Sequence, residues 1–134
     1  QIKLMNLIEK YQKLNFRNLK STALKCSVAI FDQVTISNFR FEETEFLGGH
    51  FYDCLFKNCK FHNSLLRKCT FQNCEIVDCE ISKVEFDDHT FNNCRFNNTN
   101  LEWSDLENCK LLGTELHSIN FNATIISHLK IKND

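Results

Sequence analysis

At 134 residues, 43% of them hydrophobic, the chain is long enough for one domain with a buried core. Its net charge of −1 excludes a global field that would drive it onto nucleic acid or an anionic membrane, and no apolar run approaches the roughly 18 residues of a transmembrane helix. With no Pro and only three Gly, the chain cannot rely on tight hairpins, so its corners must be made another way.

Residues 1–28 hold six Lys or Arg against one Glu, a basic head on a mildly acidic body. Ile2, Leu4, Met5, Leu7, Ile8, Tyr11 and Leu14 include the 4, 7, 8, 11 spacing of an amphipathic helix. The expectation is an N-terminal helix near residues 2–20 that caps the domain, with a membrane-surface helix or a partner-binding segment as alternatives. Residues 1–28 thus divide off as cap and lead-in segment, and residues 29–134 as the main domain.

From Phe31 to Ile131 every fifth residue is Phe, Leu or Ile without exception. The residue two before each is mostly small or β-branched, as at Ala29, Val34, Thr44, Cys54, Ser64 and Thr99. The other phases are mostly polar. Asn is frequent two after the large residue, as at Asn38, Asn58, Asn63 and Asn73. One large and one small residue two apart share a face on extended backbone, whereas a period of five smears apolar residues around a helix. The chain must turn a corner every five residues, and Asn suits corners because it tolerates left-handed dihedrals. A fixed short period of this kind predicts an all-β solenoid.

The run from Phe51 to Glu75, FYDCL FKNCK FHNSL LRKCT FQNCE, resembles the pentapeptide repeat family. The resemblance covers residues 29–133. It implies a right-handed quadrilateral β-helix with four pentads, or 20 residues, per coil, and therefore about five coils. On that scheme Phe51, Phe71 and Phe91 form one core ladder, and Phe56, Ile76 and Phe96 another. His89 and Phe39 break the small-residue rule and should mark local bulges. Gly48 and Gly49 are read as relieving crowding.

Seven of the eight cysteines, Cys54, Cys59, Cys69, Cys74, Cys79, Cys94 and Cys109, share the small-residue phase. Only Cys26 does not. A disulfide framework has no reason to follow a packing register, so buried reduced thiols and a cytoplasmic setting are expected. No Cys-x-x-Cys occurs, and no metal or other cofactor is expected. Glu85, Asp87, Asp88 and His89 are the closest approach to an acid–base cluster, but the three carboxylates point outward on a convex surface, and no catalytic residue is assigned. Two sequons, Asn97-Asn98-Thr99 and Asn122-Ala123-Thr124, leave a luminal setting as an alternative.

Function must then lie on the surface. Sorting the pentads by wall singles out one that carries Glu45, Glu85, Asp87, Asp105 and Glu107, with Trp103 at an outward phase. These six are the candidate partner-binding residues. The reading is a non-enzymatic module that presents a rigid surface to a protein partner, without a small-molecule substrate, a membrane span or direct nucleic-acid binding. The family resemblance implies two further expectations. One is a homodimer joined through the C-terminal coil. The other is the alternative of a DNA mimic that binds and protects DNA gyrase, as quinolone-resistance and toxin-immunity members do.

Overall fold

The computed structural model describes residues 10–18, 20–23, 25–126, 128 and 130–132. All regular structure among them is β-strand, most strands being three residues long, and every strand pair is parallel and joins residues 20 apart. The chain therefore climbs as a four-walled solenoid. On the first wall the strands Lys10–Gln12, Ile30–Asp32, His50–Tyr52, Thr70–Gln72, Thr90–Asn92, Lys110–Leu112 and Lys130–Lys132 stack into a separate sheet. Seven stacked strands are six coil steps, roughly 29 Å at the usual inter-strand spacing. The other three walls merge into a 12-stranded sheet, because Lys60–Arg67 and Glu80–Asp87 continue from the third wall to the fourth and Arg95–Asn100 from the second to the third.

Each corner is made by a single residue two after the large inward one. Twenty-two such residues other than Gly have positive φ, from Lys13 to His128, and Asn38, Asn58, Asn73 and Asn98 all lie between 49° and 55°. Left-handed backbone costs an ordinary L-residue energy and costs Asn the least after Gly, which explains the Asn enrichment of this phase. On one corner the side chains also bond up the rod. Asn58 Nδ2 donates to Asn38 Oδ1 at 2.7 Å, Asn38 Nδ2 to Asn18 Oδ1 at 2.9 Å, and Asn98 Nδ2 to Asp78 Oδ1 at 2.9 Å.

The core is the stack of large inward residues. Phe31 and Phe51 lie 4.7 Å apart at 3°, and Phe51 and Phe71 4.3 Å apart at 19°. Phe56, Ile76 and Phe96 pair in the same register on the second wall, and both expected ladders are present and buried. The small inward phase does more than pack. Cys54 Sγ donates to Phe31 O, Cys59 Sγ to Ile36 O and Cys74 Sγ to Phe51 O, each to a carbonyl 23 residues earlier. Ser104 Oγ does the same to Ile81 O at 2.7 Å and accepts from Val84 N–H. Cys, Ser and Thr thus suit this phase because they are small and can donate to the coil below, a role that treating cysteine as a hydrophobe misses. All eight cysteines are buried, and none is in a disulfide. Burial pushes Cys26 and Cys69 up to about 11 and Cys109 up to about 12, so these three stay protonated at neutral pH.

Two expectations need correction. The helix expected near residues 2–20 is absent from Lys10 onward, while residues 2–9 lie outside the described residues. Lys10–Gln12, Asn15–Arg17 and Lys20–Thr22 are strands, and Tyr11 stacks on Phe31 at 4.9 Å. Tyr11, Phe16 and Cys26 occupy the large inward phase, so the solenoid extends to about six turns. Backbone pairing to an existing coil edge outweighs a weak local helical pattern. The backbone also does not bulge at His89. Thr90 N–H still donates to Cys69 O at 3.0 Å and Lys110 N–H to His89 O at 2.8 Å. The rings absorb the misfit instead, with Phe71 and Phe91 tilted by 44° at 5.1 Å. Phe39 likewise keeps its coil in register and stacks on Phe41 at 4.3 Å. Gly49 does relieve crowding, since a Cβ there would lie 3.3 Å from Ala29 O.

Candidate functional site

The fourth wall gathers the carboxylates singled out in the sequence. Residue 85 pairs with residue 105 one coil above, and residue 45 with residue 65, so Glu45, Leu65, Glu85 and Asp105 stand in one column. Asp87 lies two residues along its strand from Glu85, and Glu107 follows Asp105 in a turn closed by Cys109 N–H donating to Leu106 O at 3.0 Å. Glu85 and Asp105 are therefore paired directly on consecutive coils, and Asp87 and Glu107 flank them to complete a block of four carboxylates.

Partners are unevenly distributed within the block. Arg67 Nε lies 3.1 Å from Asp87 Oδ2, and His128 Nδ1 3.9 Å from Glu107 Oε1. Asp105 Oδ1 accepts the Glu107 backbone N–H at 2.8 Å, which leaves Asp105 Oδ2 open. Glu45 and Glu85 make no ion pair among the described residues. On other walls, acids face bases on the next coil. Glu75, Arg95 and Glu115 follow one another in a single column, with Arg95 Nε 3.2 Å from Glu115 Oε2, and Lys60 faces Glu80 at 3.7 Å. Like charges directly opposite in a sheet are destabilising. Two carboxylates about 5 Å apart in water repel by about 1 kcal/mol, a modest standing cost that a cation would remove. Among the described residues no group of three or more His, Cys, Asp and Glu side chains is arranged to hold a metal ion.

Trp103 stands at the corner beside this block and is 61% exposed. Ser104 N–H donates to Leu101 O at 3.1 Å, closing a turn in which Trp103 is the third residue with φ 65°. A turn with positive φ only at that position is type II, which favours Gly or Asn there. Between the corner column and the carboxylate column runs a groove of about 670 Å³, lined by Glu43, Glu45, Glu85, Asp105, Leu65 and Trp103 and also by Lys25 and Lys83. All six residues singled out in the sequence therefore lie on or beside one wall. The sequence reading missed the Arg67 and His128 pairings and the groove. Arg67 and Asp87, 20 apart, could have been found from the coil length alone.

At the last described coil the core lies open. Phe121 is 40% exposed, Ile126 55% and Ile131 64%, although each keeps the inward phase. No helix among the described residues is long and apolar enough to cross a membrane.

Comparison with known proteins agrees with this architecture. A family model described as a pentapeptide repeat region matches residues 49–131. No curated protein matches the chain significantly. Among solved structures, a trypsin-treated form of QnrB1, a plasmid-mediated fluoroquinolone resistance protein, aligns with a TM-score of 0.53 at 13% identity, covering 91% of this chain and 79% of that one. HetL, a pentapeptide repeat protein involved in heterocyst differentiation regulation in the cyanobacterium Nostoc sp., aligns with a TM-score of 0.42 at 8% identity, over 93% of this chain and 89% of its own. At 13% identity the likeness to QnrB1 concerns the fold alone. The family model spans more than half of the chain, in the same five-residue register that builds the walls, and the chain belongs to the pentapeptide repeat family.

Proposed function

We propose that this protein is a non-enzymatic interaction module whose fourth wall binds a basic protein surface. The observation that supports this best is the pairing of Glu85 with Asp105, flanked by Asp87 and Glu107, where adjacent coils set acid upon acid instead of acid upon base. Fixed on a rigid sheet, such charges raise the local potential and steer a cationic partner. The buried cysteines, none of them in a disulfide, support a reducing, cytoplasmic setting. A gyrase-protecting DNA mimic is the weaker reading. A duplex carries one charge per about 1.7 Å along its whole length, whereas Leu65 and Ile125 interrupt the acidic column here. Inhibition of gyrase supercoiling by the intact chain would favour that reading instead.

The test is affinity capture with the native chain and with the triple variant Glu85→Lys, Asp105→Lys, Glu107→Lys. The native chain should retain basic proteins at low salt and release them as salt rises, since exposed charges are screened within about 10 Å at 0.1 M. The variant should lose them while melting at nearly the native temperature, because all three side chains lie on the outer face. Equal capture by both chains contradicts the reading.

A homodimer joined at the last coil is a separate proposal, supported by the exposed Phe121, Ile126 and Ile131. Sedimentation of the intact chain should show a dimer that dissociates when Ile126 is changed to Asp. A monomer at every concentration contradicts it.

A further inference from the structure

We propose that the groove beside Trp103 is an arginine-binding site, in which the partner's guanidinium stacks on the Trp103 indole and pairs with Asp105 and Glu85. The proposal rests on the acidic-wall reading above and adds the side chain recognised. Three independent observations converge on it. Trp103 sits where the fold calls for Gly or Asn, at φ 65° in a type II turn, and still exposes 61% of its surface. The same corner column elsewhere holds Ala23, Glu43, Asn63, Lys83 and Ala123, with no other aromatic residue among them. Second, Glu85 and Asp105 are neighbours in consecutive coils, and neither has an ion-pair partner among the described residues. Third, one Asp105 oxygen is held by the Glu107 N–H at 2.8 Å, which fixes the carboxylate while leaving its other oxygen to accept.

Glu43, Glu45, Glu85 and Asp105 outnumber Lys25 and Lys83 along the groove, which favours a cation, and the indole selects which one. A guanidinium is planar, weakly hydrated and able to stack on an aromatic face while its edge donates to carboxylates; an ammonium is a compact, strongly hydrated point charge. The apolar groups on the same groove, Leu65 and Ile125, suit the side chains flanking that arginine in an extended segment. The occupant is therefore an arginine-bearing extended segment of a partner protein.

The test uses the intact chain and two probes, N-acetyl-tetra-arginine amide and N-acetyl-tetra-lysine amide, with binding followed by calorimetry and by fluorescence of the chain's single Trp. Tetra-arginine should bind about fivefold more tightly than tetra-lysine at the same ionic strength, the size of one cation–indole contact, and should perturb the Trp103 emission. Trp103→Asn restores the residue type the corner favours, so it should melt no lower than the native chain. It should bring the two peptides to equal affinity by calorimetry. The double variant Glu85→Gln, Asp105→Asn should weaken both peptides by about tenfold. Equal binding of the two peptides to the native chain, with weakening in the double variant, overturns the arginine site while the acidic-wall reading stands. An arginine preference that persists in Trp103→Asn also overturns it, and so does the absence of binding by either peptide.

Discussion

Phe71→Ala should destabilise the protein by about 3–5 kcal/mol, the usual cost of deleting a buried phenyl ring. Phe71 lies in the middle of the first-wall ladder, 4.3 Å from Phe51 and 5.1 Å from Phe91, and also contacts Phe56 at 5.6 Å and His89 at 5.1 Å. Neighbouring coils cannot close over the gap, because their strands are held at fixed spacing by ladder bonds on both sides. Asn73→Ala, two residues away at a corner with φ 55°, should cost about 1 kcal/mol, the penalty for a left-handed Ala. Chemical denaturation of the two variants checks the contrast, and equal midpoints would refute the assignment of inward and corner phases.

Acid should destabilise the protein through His89. Its side chain is fully buried among Phe71, Phe86 and Phe91, and neither ring nitrogen has a hydrogen-bond partner. Burial holds its pKa down at about 3, against 6.5 for a free imidazole. The unfolded chain therefore takes up a proton first as pH falls. The stability associated with the neutral ring is fully present above pH 6.5 and declines as pH drops toward 3, by roughly 5 kcal/mol over the whole window. His89→Leu fills a similar volume without polar atoms. It should be at least as stable as the native chain at pH 7 and should flatten the decline between pH 6.5 and 3. If the native and variant chains show parallel pH profiles, His89 is not the neutral buried group described here.

Much of this fold was legible in the sequence, because the physics that builds it is periodic. A strict five-residue recurrence of Phe, Leu and Ile calls for a corner every five residues, the Asn phase marks the left-handed corners, and the family resemblance implied four such sides per coil. Sorting residues by wall was enough to bring Glu45, Glu85, Asp87, Asp105, Glu107 and Trp103 to one wall or its edge. The N-terminal strands were obscured because the inward phase there reads Tyr11, Phe16, Ser21, Cys26, a diluted signal beside which Leu4, Leu7, Ile8 and Tyr11 suggest a helix. Pairing energy at a coil edge is invisible to local periodicity. The thiol-to-carbonyl bonds were hidden for a similar reason, since they join residues 23 apart and depend on how one coil sits on the next. The neutralisation of Asp87 by Arg67 likewise belongs to stacking and not to local sequence.

The walls and the carboxylate column both depend on a 20-residue coil that runs from Lys10 onward, and NMR contacts between backbone protons can establish that period residue by residue. Contacts are expected between residues 20 apart along every wall, including Tyr11 with Phe31, Phe51 with Phe71 and Glu85 with Asp105. Sequential helical contacts between residues 10 and 20, or inter-strand contacts centred on a spacing other than 20 and its immediate neighbours 19 and 21, would contradict it.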